Sequence, residues 1–482
     1  METKPIRLSL VVAGFMASVV LALAGSTIPA LAGTTYYVRP GGSDSQAGTA
    51  NTDGGAWKTI GKCASTIVAG DTCNVQAGTY NENITTLAHG GTSDSNRVTY
   101  LATGAVTLRS IVLDKPYVTF KGFEVTGCSA GGCNGNIVVR GNYVQVLNNQ
   151  VHDNPNNSGS EIAAGDSNTP SYVLIQGNHI YSTLSRGDDY TMLSLDCAYC
   201  TVNNNEFGPG VDVDDIRTWG HDNVVSNNYF HDSTLSSGSV SHMDIVQTFA
   251  VNCPTCESYN FTFKNNIVKN GAQIFNLSNS SAPGMHDFYF YNNLYINTGL
   301  QGNVGIPNTR IVNNTFIDVD SNNRFTFNML YGGDFDDTGT VVKNNIIIQT
   351  WDSLPYGEND NATHNHNFNT PDSRVTGDYN FIARRSGSSY LPISNWSEPN
   401  GINGADPKFV SYSGNNQSAS NDFHLQAGSP AIDKGADLSA LGFSYDKDGT
   451  SRPQGTAWDI GAYEYISGGT TSPSAPRNLR IR

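Results

Sequence analysis

Two short segments hold most of the side chains able to do chemistry. "DVDDIRTWG" spans residues 212–220 and "SHMDIVQTFA" spans residues 241–250. Setting Thr218-Trp219 against Thr248-Phe249 places Asp212 opposite His242, Asp214 opposite Asp244 and Arg217 opposite Gln247. On neighbouring strands, alternation turns Val211, Val213, Met243 and Ile245 inward, and Asp212, Asp214, His242 and Asp244 outward. The segment before, "MLSLDC", adds Ser194 and Asp196; the one after, "GAQIFNLSN", adds Gln273 and Asn276. Paired strands lie about 4.8 Å apart. Carboxylates at that separation repel, so one carries a proton or a cation lies between them. Asp196, Asp212, Asp214, Asp215 and Asp244 are candidate oxygen ligands for Ca2+. His242 has the ordinary pKa of a base that works near neutrality. Arg217 is a poor base but a good partner for an anion. Asp212, Trp219, Gln247, Gln273 and Asn276 remain as groups to hold a substrate.

These residues need a scaffold that stacks short strands in register, and the rest of the chain spells one out. Eight segments share a pattern of alternating apolar residues, then Asn-Asn or Gly-Asn, then a second apolar run. Their second asparagines are Asn149, Asn178, Asn205, Asn228, Asn266, Asn293, Asn314 and Asn345, at intervals of 29, 27, 23, 38, 27, 21 and 31. "VTFKGFEVTG" extends the series backwards and "VTGDYNFIAR" forwards. Such intervals are too short for β-α-β units and too irregular for propeller blades. Asparagine tolerates the left-handed backbone of a tight turn, and its amide can pair with the asparagine one coil on. The pattern predicts an all-β, right-handed parallel β-helix with an asparagine ladder over residues 33–400. Each coil is stable only when stacked. Both ends of such a solenoid need covers. "WKTIGKCASTIV" spaces Trp57, Ile60, Ala64 and Ile67 as an amphipathic helix would, so it is the expected N-terminal cap. Residues 401–466, where the asparagine pattern fades, are the expected closing segment.

Composition narrows the function. Residues 1–32 read as a secretory signal: Lys4 and Arg7, an apolar run, then a small-residue cut site after Ala32. The mature chain is therefore expected outside the cell and off the membrane. The net charge of -15 disfavours nucleic acid, whose phosphates need basic patches. Eight cysteines fall into four local pairs, Cys63/Cys73, Cys128/Cys133, Cys197/Cys200 and Cys253/Cys256. Export favours disulfides; a zinc site built from "CAYC" and "CPTC" is the alternative.

The opening "YYVRPGGSDSQAGT…AWKTIGKCAS…AGDTCNVQAGTYNENI" resembles the start of secreted bacterial β-helix proteins of the pectate-lyase-like superfamily. The ending "SPAIDKGA…DKDGTSRPQGTAWDIGAYEY" resembles the tail found on many of them. Residues 467–482 read as a flexible tail whose "PSAPRNLRIR" resembles the first strand of a fibronectin type III module. The superfamily resemblance implies an outer sheet face that binds polysaccharide. It does not extend to one family, because "RIK" of polygalacturonases and "WiDH" of pectate lyases are both missing. Three readings stay open. In the first, a monomeric lyase cleaves an acidic, uronate-containing polysaccharide by β-elimination. Ca2+ withdraws charge from the uronate, His242 or Arg217 takes the C5 proton, and Arg217 neutralises the carboxylate. In the second, Asp214 and Asp244, about 5 Å apart, are the acid and nucleophile of a retaining glycosidase. In the third, the polar face binds glycan without chemistry.

Overall fold

The computed structural model describes residues 33–468, apart from 129–132, 157–158, 186–189, 238, 240–242, 250–256, 272, 279–283, 300–301, 320–324, 332–334 and 361–373. Short strands recur in threes and pair in parallel with their equivalents one coil away, giving the right-handed parallel β-helix that the repeat predicts. One face runs through Val118–Lys121, Gln145–Leu147, Leu174–Gln176 and Thr201–Asn203. A second runs through Glu124–Thr126, Gln150–His152, His179–Ser182 and Glu206–Val211. The third, which carries the candidate site, runs through Gly135–Val139, Ser160–Ala164, Thr191–Ala198 and Asp214–His221. Inward residues such as Val146, Ile175, Val202, Val225, Phe263 and Phe290 are fully buried and form one continuous column.

The Asn-Asn dipeptides divide their labour. The first residue takes the left-handed backbone: φ is 53° at Asn148, 54° at Asn204, 57° at Asn227 and 69° at Gly177. Glycine and asparagine are the residues that enter this region at least cost. The second residue is buried and forms the ladder. From Asn149 to Asn380 each Nδ2 donates to Oδ1 of the next asparagine at 2.9–3.2 Å. The same oxygen accepts the main-chain N–H of the previous asparagine, as at Asn205, 2.8 Å from Asn228 Oδ1. The other Nδ2 hydrogen goes back to a carbonyl, as from Asn228 to Val202 at 3.0 Å. The ladder ends on a carboxylate, with Glu398 accepting from Asn380 Nδ2 and N at 2.9 Å each.

Both expected covers are present. The helix Ile60–Thr66 is capped by Thr59, and Glu82 accepts from the N–H groups of Ile60 and Gly61 at 2.9 and 2.8 Å. It buries Ile60, Cys63 and Ala64. The C-terminal segment does more than close the last coil. Phe409, Phe423, Leu425, Ile460 and Ala462 pack on Leu294, Ile296, Ile317, Ile348 and Phe381 of several coils, so it straps a flank. Within it Asp446 accepts from the N–H groups of Asp448, Thr450 and Glu464, and a buried Arg452–Glu464 pair ties the ends together. Cys63–Cys73, Cys128–Cys133 and Cys197–Cys200 are disulfides, so the thiols of "CAYC" are not available to zinc. Cys253 and Cys256, the signal segment and the tail beyond Gly468 lie outside the described residues. Among the described residues no helix is long and apolar enough to cross a membrane.

The corner between the third and first faces is unusual. Tyr117, Tyr143, Tyr172 and Tyr199 occupy its left-handed position at φ 51–60°. Their rings stack face to face at 4.6, 4.9 and 5.1 Å. In later coils Asp222, Asn260, Asp287 and Asn308 take that backbone position, and the ring moves one residue earlier, to His221, Tyr259 and His286. A left-handed tyrosine costs roughly 1–2 kcal/mol, and each ring contact returns roughly 0.5–1.5 kcal/mol beyond the ring area it buries. Stacking therefore offsets the backbone cost.

The ladder gives the first prediction. Asn228→Ala removes the acceptor of the buried Asn205 N–H and of one of the two Asn205 Nδ2 hydrogens, at about 1–3 kcal/mol each. The urea midpoint is expected to fall by an amount equivalent to about 2–5 kcal/mol. An unchanged midpoint would show that the ladder carries no stability.

Candidate functional site

The strand Asp214–His221 pairs with Thr191–Ala198 on one side and Val246–Thr248 on the other. The register sets Arg217 opposite Ser194 and Gln247, as the sequence alignment predicts, and Gln247 opposite Asn276. Asp214 lies opposite Thr191, and Asp244 bridges to Gln273 in the next coil. Two columns result: Thr191, Asp214, Asp244, Gln273 and Ser194, Arg217, Gln247, Asn276. They are joined across the strand. Arg217 Nε donates to Asp214 Oδ2 at 2.7 Å, and the Asp244 main-chain N–H donates to Asp214 Oδ1 at 2.8 Å. Asn276 Nδ2 reaches Asp244 Oδ2 at 3.5 Å.

Burial is deeper than alternation alone predicts. Asp214, Asp215 and Asp244 are each 1% exposed and Arg217 is 8% exposed. Burial pushes the Asp214 carboxyl well above the usual range; Asp244 adds to the rise and Arg217 opposes it. Asp215 is raised still more firmly, first by burial and then by Asp214. Among the described residues its Oδ1 accepts only a long bond from Ser233, at 3.4 Å, and its Oδ2 has no hydrogen-bond partner. A cleft opens beside Arg217, lined by Ser160, Ala163, Thr191, Ser194 and Trp219. Trp219 donates its indole N–H to the Phe249 carbonyl at 2.9 Å and meets that ring edge-on at 5.2 Å. Arg217 lies 5.8 Å from the Phe249 ring centre. The cleft's far rim carries Asp166, which Arg140 holds as a carboxylate with a pKa of about 2.

The five-aspartate calcium set does not assemble. Asp212 is not an outward strand residue; it has φ 52° and takes a turn. Burial opposes its charge, but bonds from Ser185 Oγ (2.5 Å) and from Ser236 Oγ and N–H outweigh burial, so its pKa is lowered. These bonds engage both carboxylate oxygens and hold Asp212 in the turn. Asp196 lies opposite Trp219, two residues past the Arg217 column, and burial raises its pKa. Asp215 faces Ser233. Among the described residues no three His, Cys, Asp or Glu side chains converge on a point fit for a metal ion. The residues present do not fit the proposed calcium, and no step below runs through it. His242 lies outside the described residues.

The sequence matches no protein-family model and no curated protein. Among solved structures the chain is similar to pectate lyase Pel9A, with TM-score 0.49 and 17% identity over 90% of this chain and 96% of that one. It is also similar to XylC in complex with xylose, with TM-score 0.47 and 12% identity over 89% and 98%. A third is a PL6 family polysaccharide lyase from Pseudopedobacter saltans, with TM-score 0.41 and 16% identity over 84% and 97%. At these identities and TM-scores the likenesses assign no activity.

Sequence reasoning missed two groups. Ser160, Ala163 and Thr191 line the cleft but are small residues with no signal of their own. The second face also gathers ionisable groups: His152 reaches Glu124 at 3.3 Å and His231 reaches Glu206 at 3.1 Å, each held at Nδ1 by its own following aspartate. The signal was present in "QVHD" and "YFHD", whose histidines fall on outward positions after the ladder asparagine. Read singly, they look like turn residues.

The raised carboxyls set a pH dependence. Folded Asp214 and Asp215 keep protons that the unfolded chain releases, so the stability these two groups contribute is greatest at low pH. It falls as pH rises from about 4, the ordinary aspartate range, through the raised values. Asp215→Asn is expected to flatten this fall, by about 1.4 kcal/mol for each unit of raised pKa. Melting midpoints across that range check it; parallel curves for the two proteins would refute the assignment.

Proposed function

We propose that the protein is a carbohydrate-active β-helix protein, secreted, that binds an acidic, uronate-containing polysaccharide over Arg217 and cleaves it by β-elimination. The observation that carries this reading is the state of Arg217. Its guanidinium lines an open cleft beside an indole, and its anchoring carboxyl, Asp214, is biased towards the protonated form. Asp214 positions the guanidinium, and a carboxyl whose pKa is raised cancels less of its charge, which is proposed to attract a sugar carboxylate. Neutralising the uronate carboxylate acidifies the adjacent C5 proton. A base then takes that proton, the C4–O bond breaks, its electrons leave with the departing oxygen, and a C4–C5 double bond forms. Water protonates the oxygen. His242, two residues before Asp244 in the sequence, is the proposed base, on its residue type alone. Trp219, Gln247, Gln273 and Asn276 are proposed to hold neighbouring sugars.

One observation favours a second reading. A buried carboxyl with a raised pKa beside another carboxylate is the acid-and-partner arrangement of glycoside hydrolysis. Asp214 would then protonate the leaving oxygen, with Asp244 as nucleophile.

Purified mature protein should be tested on polygalacturonate, alginate, glycosaminoglycans and glucuronoxylan, following ultraviolet absorbance and reducing ends together. Unsaturated product is expected, and it should persist with chelator, because Arg217 supplies the charge on this reading. Arg217→Ala should lower turnover by about 10²-fold. Reducing ends without absorbance would replace elimination by hydrolysis, and loss of both in Asp244→Asn would then be expected. Silence in both channels would leave glycan binding alone. Secretion is checked separately: the N-terminus of exported protein should be Gly33.

A further inference from the structure

The aromatic corner belongs to no part of the mechanism above, yet it borders the site. On the strand Asp214–His221, Arg217, Trp219 and His221 alternate on one face, so His221 lies two residues beyond Trp219. His221 is also a member of the ring stack. Its ring meets Tyr199 edge-on at 5.2 Å and Tyr259 face to face at 4.9 Å. The stack continues to Tyr172, Tyr143 and Tyr117 on one side and to His286 on the other. It thus runs along the solenoid axis for seven coils, one ring per coil, beside the columns that hold Arg217. Tyr172 and Tyr199 are 48% and 47% exposed.

Four coils keep tyrosine where others place Asp or Asn, against the backbone preference. The rings show their edges to solvent, because their faces are turned on one another. Ring edges carry the positive end of the aromatic quadrupole, and phenol hydroxyls donate and accept hydrogen bonds. A row of such groups at strand spacing, about 4.8 Å, matches a chain of hydroxyl-rich rings laid along the axis, whose residue repeat is of similar length.

We propose that the row Tyr117, Tyr143, Tyr172, Tyr199 is a binding track for an extended polysaccharide chain, running alongside the Arg217 cleft. The inference rests on the carbohydrate reading of that cleft, and its ligand is the same polymer.

The test is the double variant Tyr172→Asn with Tyr199→Asn, because asparagine already serves this corner at Asn260 and Asn308. Gels containing polygalacturonate, alginate or glucuronoxylan report binding as retarded migration. The wild type should be retarded by at least one polymer, and the double variant should lose most of that retardation with a nearly unchanged melting midpoint. Where turnover is measurable, KM for long polymer should rise several-fold, with kcat and the KM for short oligosaccharides held. Equal retardation of the two proteins, a lowered midpoint with binding intact, or a wild type retarded by none of the polymers would each overturn the track. Arg217→Ala separates the two ideas. Retardation that survives in Arg217→Ala but not in the tyrosine variant supports the track even if no product is ever found.

Discussion

The amide-to-amide bond between stacked asparagines is the constraint on which this molecule is built. Each ladder asparagine meets four hydrogen-bonding obligations at once, and it meets them with the neighbouring coils. A buried amide displaced by one residue would lose all four, so the register of every coil is fixed at one corner. The other two corners are then free to vary, which is how intervals of 21 to 38 residues fit one solenoid. Registration at the ladder also sets the height of Arg217, Gln247 and Asn276 in their column, although none of these touches an asparagine of the ladder.

The fold was legible because its signal repeats. Asn149 through Asn345 announce themselves eight times, and the Asn380 and Phe123 ends follow from the same pattern. The pairing of Arg217 with Gln247 was legible for the same reason, since two strands aligned by Thr218 and Thr248 share the repeat's phase. What escaped was the local bend before Arg217. Strict alternation sends Asp212 and Asp214 outward together. Instead Asp212 turns with a left-handed backbone into a nest of serines, and Asp215 and Ile216 are both buried. No period-two rule contains such a turn, so the supposed group of five aspartates dissolves into one arginine-bound carboxyl, its neighbour and three bystanders.

The site's electrostatics follow from depth. A carboxyl on an open sheet face would be ionised and would cancel the guanidinium beside it. Asp214 is buried next to Asp244, so its proton is held more tightly, and Arg217 keeps an orienting partner while losing less of its charge. Sequence shows that Asp and Arg are neighbours; only packing shows that the carboxyl holds its proton more tightly.

The flank strap makes the two halves of the solenoid unequal in how they can change. N-terminal to Asn265, a coil could be gained or lost by slipping one rung, because neighbours contact only neighbours. From Asn265 to Phe381 the C-terminal segment spans several coils at fixed heights, through Lys447, Gln417, Phe409, Leu425 and Ile460. A coil added there would shear every one of those contacts. Lengthening and shortening over evolutionary time should therefore concentrate in the unstrapped half, the half that holds the cleft and the tyrosine row, leaving the strapped half as an anchor of constant length.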